Sequence, residues 1–326
     1  MKRSGSSARE REPLEQIMFE ISDVVALMRY ASVSTTYTPA LLKTLARRVP
    51  MMSGPSLPLA EIGHELLRLY WNQAVVYHLR QAAVVTKEPE PLRAIRAAAE
   101  RHDVHDLDAL APAERETLAR KMTKMLTIDG LDRFHASKPA GMLPLFTWTK
   151  GDVAIELSDA SRAFLTTNAS ALEVIANYRW AGYLEKINVL APGIIEKVQR
   201  DGARRGSLAK YQSILTETDE PRCFYCERNF DARSVVDHVI PWSYLLTDDY
   251  WDLVLACVSC QTAKADRLPD ARFITKLVAT NARRNRGILE KHHLSPIAKM
   301  DHVAQLYAAA VANEWPGPWA PKRAAT

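Results

Sequence analysis

The 326-residue chain carries a formal net charge of +5, with 47% hydrophobic and 25% charged residues. That length allows two domains with cores of ordinary size, and the fractions are the usual ones for a globular protein. No run of about 18 apolar residues appears, which argues against a helical membrane span, and the basic start MKRSGSSAREREP leads into no apolar segment of a secretory signal. The small positive excess permits an anionic partner without demanding one.

Residues 1–12, rich in Ser, Arg and Glu, read as a disordered tail. Over 15–30 the apolar positions Ile17, Met18, Ile21, Val24, Val25 and Met28 recur at helical spacing. Thr38-Pro39 looks like an N-cap followed by proline at the first helical position, opening a helix over 40–49 that Pro50 and Ser53-Gly54-Pro55 end. Leu57-Pro58 starts another helix, expected from 59 to about 83, with Ile62, Leu66, Leu69, Tyr70, Gln73, Val76 and Tyr77 on one face. Two helices joined by a short Pro/Gly turn admit a helix-turn-helix or winged-helix reading, although simple packing within an α-helical domain is the commoner outcome. Lys43, Arg47 and Arg48 suit phosphate contacts or, more plainly, a solvated helix face.

Lys87-Glu88-Pro89-Glu90-Pro91 is a linker-like break, after which helices are expected over 92–101 and 112–128, the latter with Glu114 and Glu116 in its first turn. His102 and His105 sit among Asp103, Asp106 and Asp108 and read as a solvated acidic loop rather than a metal site. Phe146, Thr147 and Trp148 precede Lys150-Gly151-Asp152, and Val153, Ile155 and Leu157 then alternate, which predicts a β-hairpin over 143–157. Helical sequence resumes after Ser158-Asp159 and runs through 189, with a short helix over 194–200 beyond Ala191-Pro192-Gly193. Arg200, Arg204, Arg205 and Lys210 form a basic approach to the cysteine-bearing segment, with a boundary near Ser207.

All four cysteines lie in one segment, as the Cys-x-x-Cys pairs Cys223/Cys226 and Cys257/Cys260. Such a cluster suits a metal site in a reducing compartment better than a disulfide framework, so a cytoplasmic location is expected. Four thiolates complete a tetrahedral zinc site with no open position, so this zinc is structural and supplies folding free energy to a segment too short to bury much core. Between the pairs, Val235, Val236, Val239 and Ile240 make a strand on which the neighbours Asp237 and His238 point to opposite faces. After the Thr247-Asp248-Asp249 loop, the run from Trp251 leads into a helix through Thr262, Lys264 and Asp266. A strand pair and a helix pinned by zinc give a cleft for one carboxylate and one imidazole. Trp242, Tyr244, Tyr250 and Trp251 read as core. Beyond Pro269, Arg272, Lys276, Arg283, Arg284, Arg286 and Lys291 outnumber Asp270 and Glu290, so this stretch is basic, while His292, His293 and His302 read as exposed.

These residues resemble the HNH endonuclease family of the ββα-metal class. Its pattern is Cys-x-x-Cys, then Asp-His with an apolar pair and proline, then Asn-Leu-Val-x-x-Cys-x-x-Cys-Asn-x-x-Lys. The chain matches at Cys223, Cys226, Asp237, His238, Pro241, Leu253, Val254, Cys257, Cys260 and Lys264, and Asp266-Arg267-Leu268-Pro269 is also typical. The likeness spans about 60 residues and is silent on 1–200.

The helical periodicities of the first 200 residues, taken with the resemblance, give a mainly α protein with a small α+β module. A helical domain with a β-hairpin (13–206) precedes a zinc-stabilised HNH domain (207–270) and a helical C-terminal extension (271–326). The resemblance implies metal-dependent cleavage or nicking of DNA, RNA being the other candidate, with restriction or anti-phage defence as context. His238 would be the general base, Asp237 and Gln261 would hold Mg²⁺ or Mn²⁺, and Lys264 and Arg267 would meet backbone phosphates.

Two positions depart from the pattern. Asp252 replaces the central asparagine, and an ionised aspartate only accepts hydrogen bonds; it either weakens the histidine-bearing loop or joins Asp237 as a second oxygen ligand. Gln261 replaces the residue after the last cysteine. The alternative to an enzyme is a degenerate HNH fold serving as a nucleic-acid-binding or scaffolding subunit, and these two residues discriminate. The helical domain is long enough to engage a protein partner or a second copy.

Overall fold

The apolar stripes of the first 200 residues can be buried only against one another, and they assemble around one core. The computed structural model describes residues 19–30, 36–84, 88–136, 138, 141–201, 206–230, 233–294 and 300–322; the expected tail and Arg204 and Arg205 lie outside them. The helices of the first part are α1 (Ile21–Tyr30), α2 (Tyr37–Arg48), α3 (Leu59–Trp71), α4 (Glu90–His102), α5 (Pro112–Met125), α6 (Leu131–Ala136), α7 (Asp159–Thr167), α8 (Ala169–Ile187) and α9 (Ile194–Gln199). Helix α2 packs between α3 and α8, and α3 against α5. Leu41, Leu45, Ile62, Leu66, Trp71, Met122, Leu172 and Trp180 are among the residues buried there. Gly63 lets α3 and α5 close: a Cβ at that position would stand 2.7 Å from the Ala119 carbonyl oxygen.

Three expectations change in this part. The helix from Leu59 stops at Trp71, passes through a π-helical turn, Asn72–Val76, and ends where His78 takes φ 46°. The side-chain amides of Asn72 and Gln73 there are buried and reach the carbonyls of Arg200 (3.5 Å) and Lys197 (3.0 Å), so the widened turn serves a polar contact. The expected hairpin shrinks to one bridge, Thr147 with Glu156. Strand β2 (Ala154–Glu156) instead pairs along its length with β1 (Ser56–Pro58), placing buried Leu57 opposite buried Ile155. Lastly, Lys43, Arg47 and Arg48 are each tied to partners, Lys43 inside the protein and the two arginines at its edge. Lys43 is wholly buried and donates to Val198 O at 2.7 Å, Arg47 binds Glu173 and Asp201, and Arg48 binds Glu61.

The second part comprises α10 (Ala209–Thr218), β3 (Ser234–His238), α11 (Trp242–Leu245), β4 (Leu253–Cys257), α12 (Val258–Lys264), α13 (Ala271–Arg283), α14 (Arg286–Lys291) and α15 (Met300–Ala312). The β3–β4 pair is antiparallel, with Asp237 opposite Val254 and His238 opposite Leu253. Phe273, Leu277, Val303, Ala310, Trp315 and Trp319 share a core with Tyr225, Ile240, Val254 and Ala256, so the segment after 270 packs onto the cysteine module. Residues 316–319 pair alongside 268–270: Leu268 N donates to Pro316 O, and Trp319 N to Leu268 O. Arg284, read as part of a basic surface, is buried; it forks onto Asp219 (2.8 and 2.7 Å) and donates to the carbonyls of Tyr250 and Leu253. Tyr244 and Tyr250 are core, as expected. Among the described residues no helix is long and apolar enough to cross a membrane.

The two parts meet along α9. Lys197, wholly buried, donates to Tyr244 O (2.6 Å) and Pro192 O (2.8 Å). Burial pushes its amine down to about 7 and that of Lys43 to about 8. From about pH 7 up to the ordinary lysine range near 10, the unfolded chain therefore binds protons that the folded one has released, and stability rises with pH. Lys197→Ala is expected to cost about 3 kcal/mol through the carbonyls it strands and to reduce that rise. Chemical denaturation at pH 6.5, 8 and 9.5 measures both.

Candidate active site and metal centre

The first cysteine pair sits on a tight turn in which Cys223 N donates to Arg228 O and Glu227 N to Cys223 O, with Glu227 at φ 63°. The second pair straddles the end of β4 and the start of α12. Hydrogen-bonded strands thus bring residues about 30 positions apart together, and all four Sγ atoms lie within 4.8 Å of one another. The Cys226–Cys257 separation is 3.9 Å, close to the edge of about 3.8 Å expected for a tetrahedron with 2.3 Å metal–sulfur bonds. Both the donor set and the spacing fit a structural metal ion.

Strict alternation would put Asp237 and His238 on opposite faces of their strand. Instead both line a single cavity of about 280 Å³ with Trp242, Gln261 and Asp266. Strand β3 ends at His238 and the chain then bends toward Pro241, so the last side chain is released from that alternation. The cavity's remaining lining includes Val76 and His105 from the helical part.

Each group is held by a neighbour. Asp237 is buried; its Oδ2 accepts the Tyr225 hydroxyl at 2.6 Å and lies 3.3 Å from Lys264 Nζ. Both contacts fall on Oδ2, leaving Oδ1 as the oxygen to offer a cation. His238 Nε2 is 3.1 Å from Asp248 Oδ1; a carboxylate only accepts, so Nε2 carries the proton in this pair. Lys264, expected at a phosphate, is 1% exposed and donates to His238 O at 2.6 Å. It holds the strand while also lining the cavity. Arg267 remains exposed beside the metal helix. Gln261 is half-buried and lines the cavity with Asp237, so a carboxylate and a carbonyl oxygen are present for a hard divalent ion that keeps most of its waters. The Ser243 hydroxyl donates to Asp266, whose carboxyl is pushed up to about 6 by burial.

Asp252 does not line the cavity, so the second-ligand expectation fails on position. It has no exposed surface; Oδ1 accepts Ile240 N at 2.9 Å while its backbone carbonyl accepts Val239 N at 2.9 Å. It therefore clamps the chain just after His238, the task of the central asparagine. Oδ2 is buried without a hydrogen-bond partner among the described residues, and burial holds the carboxyl well above the usual carboxylate range. A protonated acid restores the neutrality of the asparagine it replaces.

Sequence reasoning missed four residues that the structure brings to the site or behind it. Tyr225 hid in an unconstrained position of the first knuckle, Asp266 in the trailing motif, and Asp248 and His105 in loops with no periodic signal. Because folded Asp252 keeps its proton above the pH at which the unfolded chain releases it, this one group contributes a loss of stability as pH rises above about 4, by up to about 1.4 kcal/mol per unit and opposite in sign to the lysine contribution above pH 7. Asp252→Asn is expected to flatten that slope and raise the denaturation midpoint at pH 7 to 8, as urea titrations across pH 4 to 8 measure.

The family model described as HNH endonuclease matches residues 223–267. No curated protein and no solved structure matches the chain. The matched segment begins at the first cysteine of the four-thiolate cluster and ends just beyond α12, enclosing β3, β4 and the cavity residues between them. By that match and that architecture, the chain carries an HNH endonuclease domain.

Proposed function

We propose that the protein is a metal-dependent endonuclease that hydrolyses phosphodiester bonds in DNA, with zinc in the four-thiolate site. The observation that carries this reading is the shared cavity: Asp237, His238 and Gln261 meet beside a metal helix fixed at both ends. His238, oriented through Nε2 by Asp248, takes a proton from the attacking water. Asp237 and Gln261 are the residues that would hold Mg²⁺ or Mn²⁺, which when bound supplies charge stabilisation at the phosphate. Tyr225 and Lys264 fix Asp237 from behind, and Asp252 fixes the loop after His238.

A nucleic-acid partner is supported by charge next to this cavity. A groove of about 1130 Å³ along the other side of α12 is lined by Arg228, Arg267, Arg272, Lys276 and Lys322, with Glu227 already bound to Lys276 at 2.7 Å. Such a surface attracts a phosphate backbone without reading its sequence. Arg267 also lines a neighbouring cleft that shares His105, Ala265 and Asp266 with the cavity.

Supercoiled plasmid nicking with Mg²⁺ or Mn²⁺ tests the reading: wild type is expected to cut, and His238→Ala to cut about 10² to 10⁴-fold more slowly. Cutting unaffected by the substitution would sink it. Arg272→Glu with Lys322→Glu should weaken DNA binding and lower the slope of log affinity against log salt by about one for each phosphate no longer neutralised. Elemental analysis should find one zinc per chain, and Cys226→Ser should lose the metal together with cooperative unfolding of the module.

A further inference from the structure

We propose that His105, from the helical part of the protein, donates the proton to the leaving oxygen of the cleaved phosphodiester; this rests on the nuclease reading above. The cavity that holds Asp237 and His238 is a two-sided space. The HNH domain supplies most of its lining, and the helical part supplies Val76 and His105. Valine has no proton to give, so His105 is the one chemically competent group on that side.

The loop that presents His105 is built to hold its place. Helix α4 ends at Asp103 in the left-handed conformation, φ 50°, with Val104 N donating back to Ala99 O at 3.0 Å. Asp106 then caps the next turn by accepting Asp108 N at 2.9 Å. Between these anchors, the indole of buried Trp71 donates to the backbone carbonyl of His105 at 2.8 Å. The backbone is thus fixed while the imidazole is exposed and makes no hydrogen bond among the described residues. Asp266 shares the cavity lining and offers an acidic group to an imidazole that gains or loses a proton there. A histidine in an acidic loop has a bland reading as a solvated polar residue, yet that reading gives no reason for its place in the wall of the catalytic cavity.

In-line hydrolysis needs a proton acceptor on the attacking side of phosphorus and benefits from a proton donor on the departing side. Two imidazoles facing one cavity from different parts of the chain meet that requirement. The water oxygen bonds to phosphorus and its proton passes to His238. The bond from phosphorus to the bridging oxygen breaks, the electron pair stays on that oxygen, and the proton of His105 goes to it. Atoms and charge balance without a further reactant.

The test uses the full-length protein in Mn²⁺ on a single-site substrate with its natural bridging oxygen and on the two versions with bridging 3′-sulfur or 5′-sulfur at the cut. A thiolate leaves without a proton. His105→Ala, which keeps the Trp71 hydrogen bond to the backbone, is expected to slow the oxygen substrate about 10²-fold and to cut one of the sulfur substrates at nearly the wild-type rate. His105→Gln should behave as the alanine variant does, because it hydrogen-bonds without donating a proton. Wild-type rates on oxygen in either variant, or equal losses on oxygen and both sulfurs, overturn the assignment. Wild type that cuts none of the three overturns the nuclease reading itself, and this inference with it.

Discussion

Lys264 ends the metal helix with its ammonium group turned into the protein, 2.6 Å from the His238 carbonyl and 3.3 Å from Asp237. A buried cation is costly unless paired and hydrogen-bonded, and both partners here belong to the last two residues of β3. Helix α12 therefore cannot slide along the sheet without stranding that charge. At its other end the cysteine cluster ties the helix to the first knuckle and to β4. Seven residues are too few to hold a helix by themselves, so these attachments stand in for the missing length. Everything the cavity offers, from Asp237 to Gln261, hangs on that doubly fastened helix.

The same chemistry is used twice more, once inside the helical part and once where the two parts of the chain meet. Lys43 reaches from α2 to a carbonyl at the end of α9, and Lys197 reaches from α9 to a carbonyl of α11. Amines that grip backbone carbonyls in a dry interface act as a relay from the helical core to the nuclease domain. Asn188 adds a two-way bond with the backbone of Arg80, and Asn313 reaches Val189 O. Lys197 and Asn313 cross the seam, Lys43 and Asn188 brace its helical side, and His105 and Val76 line the cavity from that side.

Much of this is legible in the order of residues alone. Cysteine spacing points to the metal cluster, and the Asp237-His238 dipeptide before Pro241 points to the strand and its chemistry, because both depend on local order. Burial is less legible. Lys43, Lys197, Lys264 and Arg284 look like surface cations in a sequence, and only tertiary neighbours reveal that carbonyls and a carboxylate await them. Asp252 is the sharpest case: as a charged residue it looks like damage to the motif, whereas full burial pushes its carboxyl toward the neutral form. The hairpin over 143–157 fails for a related reason. Its alternation is real, but the partner that buries Ile155 lies about 100 residues earlier, at Leu57.

Trp319 packs edge-on against Tyr225 with ring centroids 5.2 Å apart, and Tyr225 in turn grips the carboxylate of Asp237. The strap that carries this tryptophan also covers the end of the metal helix, where the Trp315 indole binds Asp266 O. During synthesis these residues emerge from the ribosome well after the cysteines and the Asp-His pair. A nascent chain can thus bring its four cysteines together while the tryptophan that backs Tyr225 is still missing. The packing behind Asp237 is complete only once that strap has been made, because until then Tyr225 grips the carboxylate without the indole of Trp319 against its own ring.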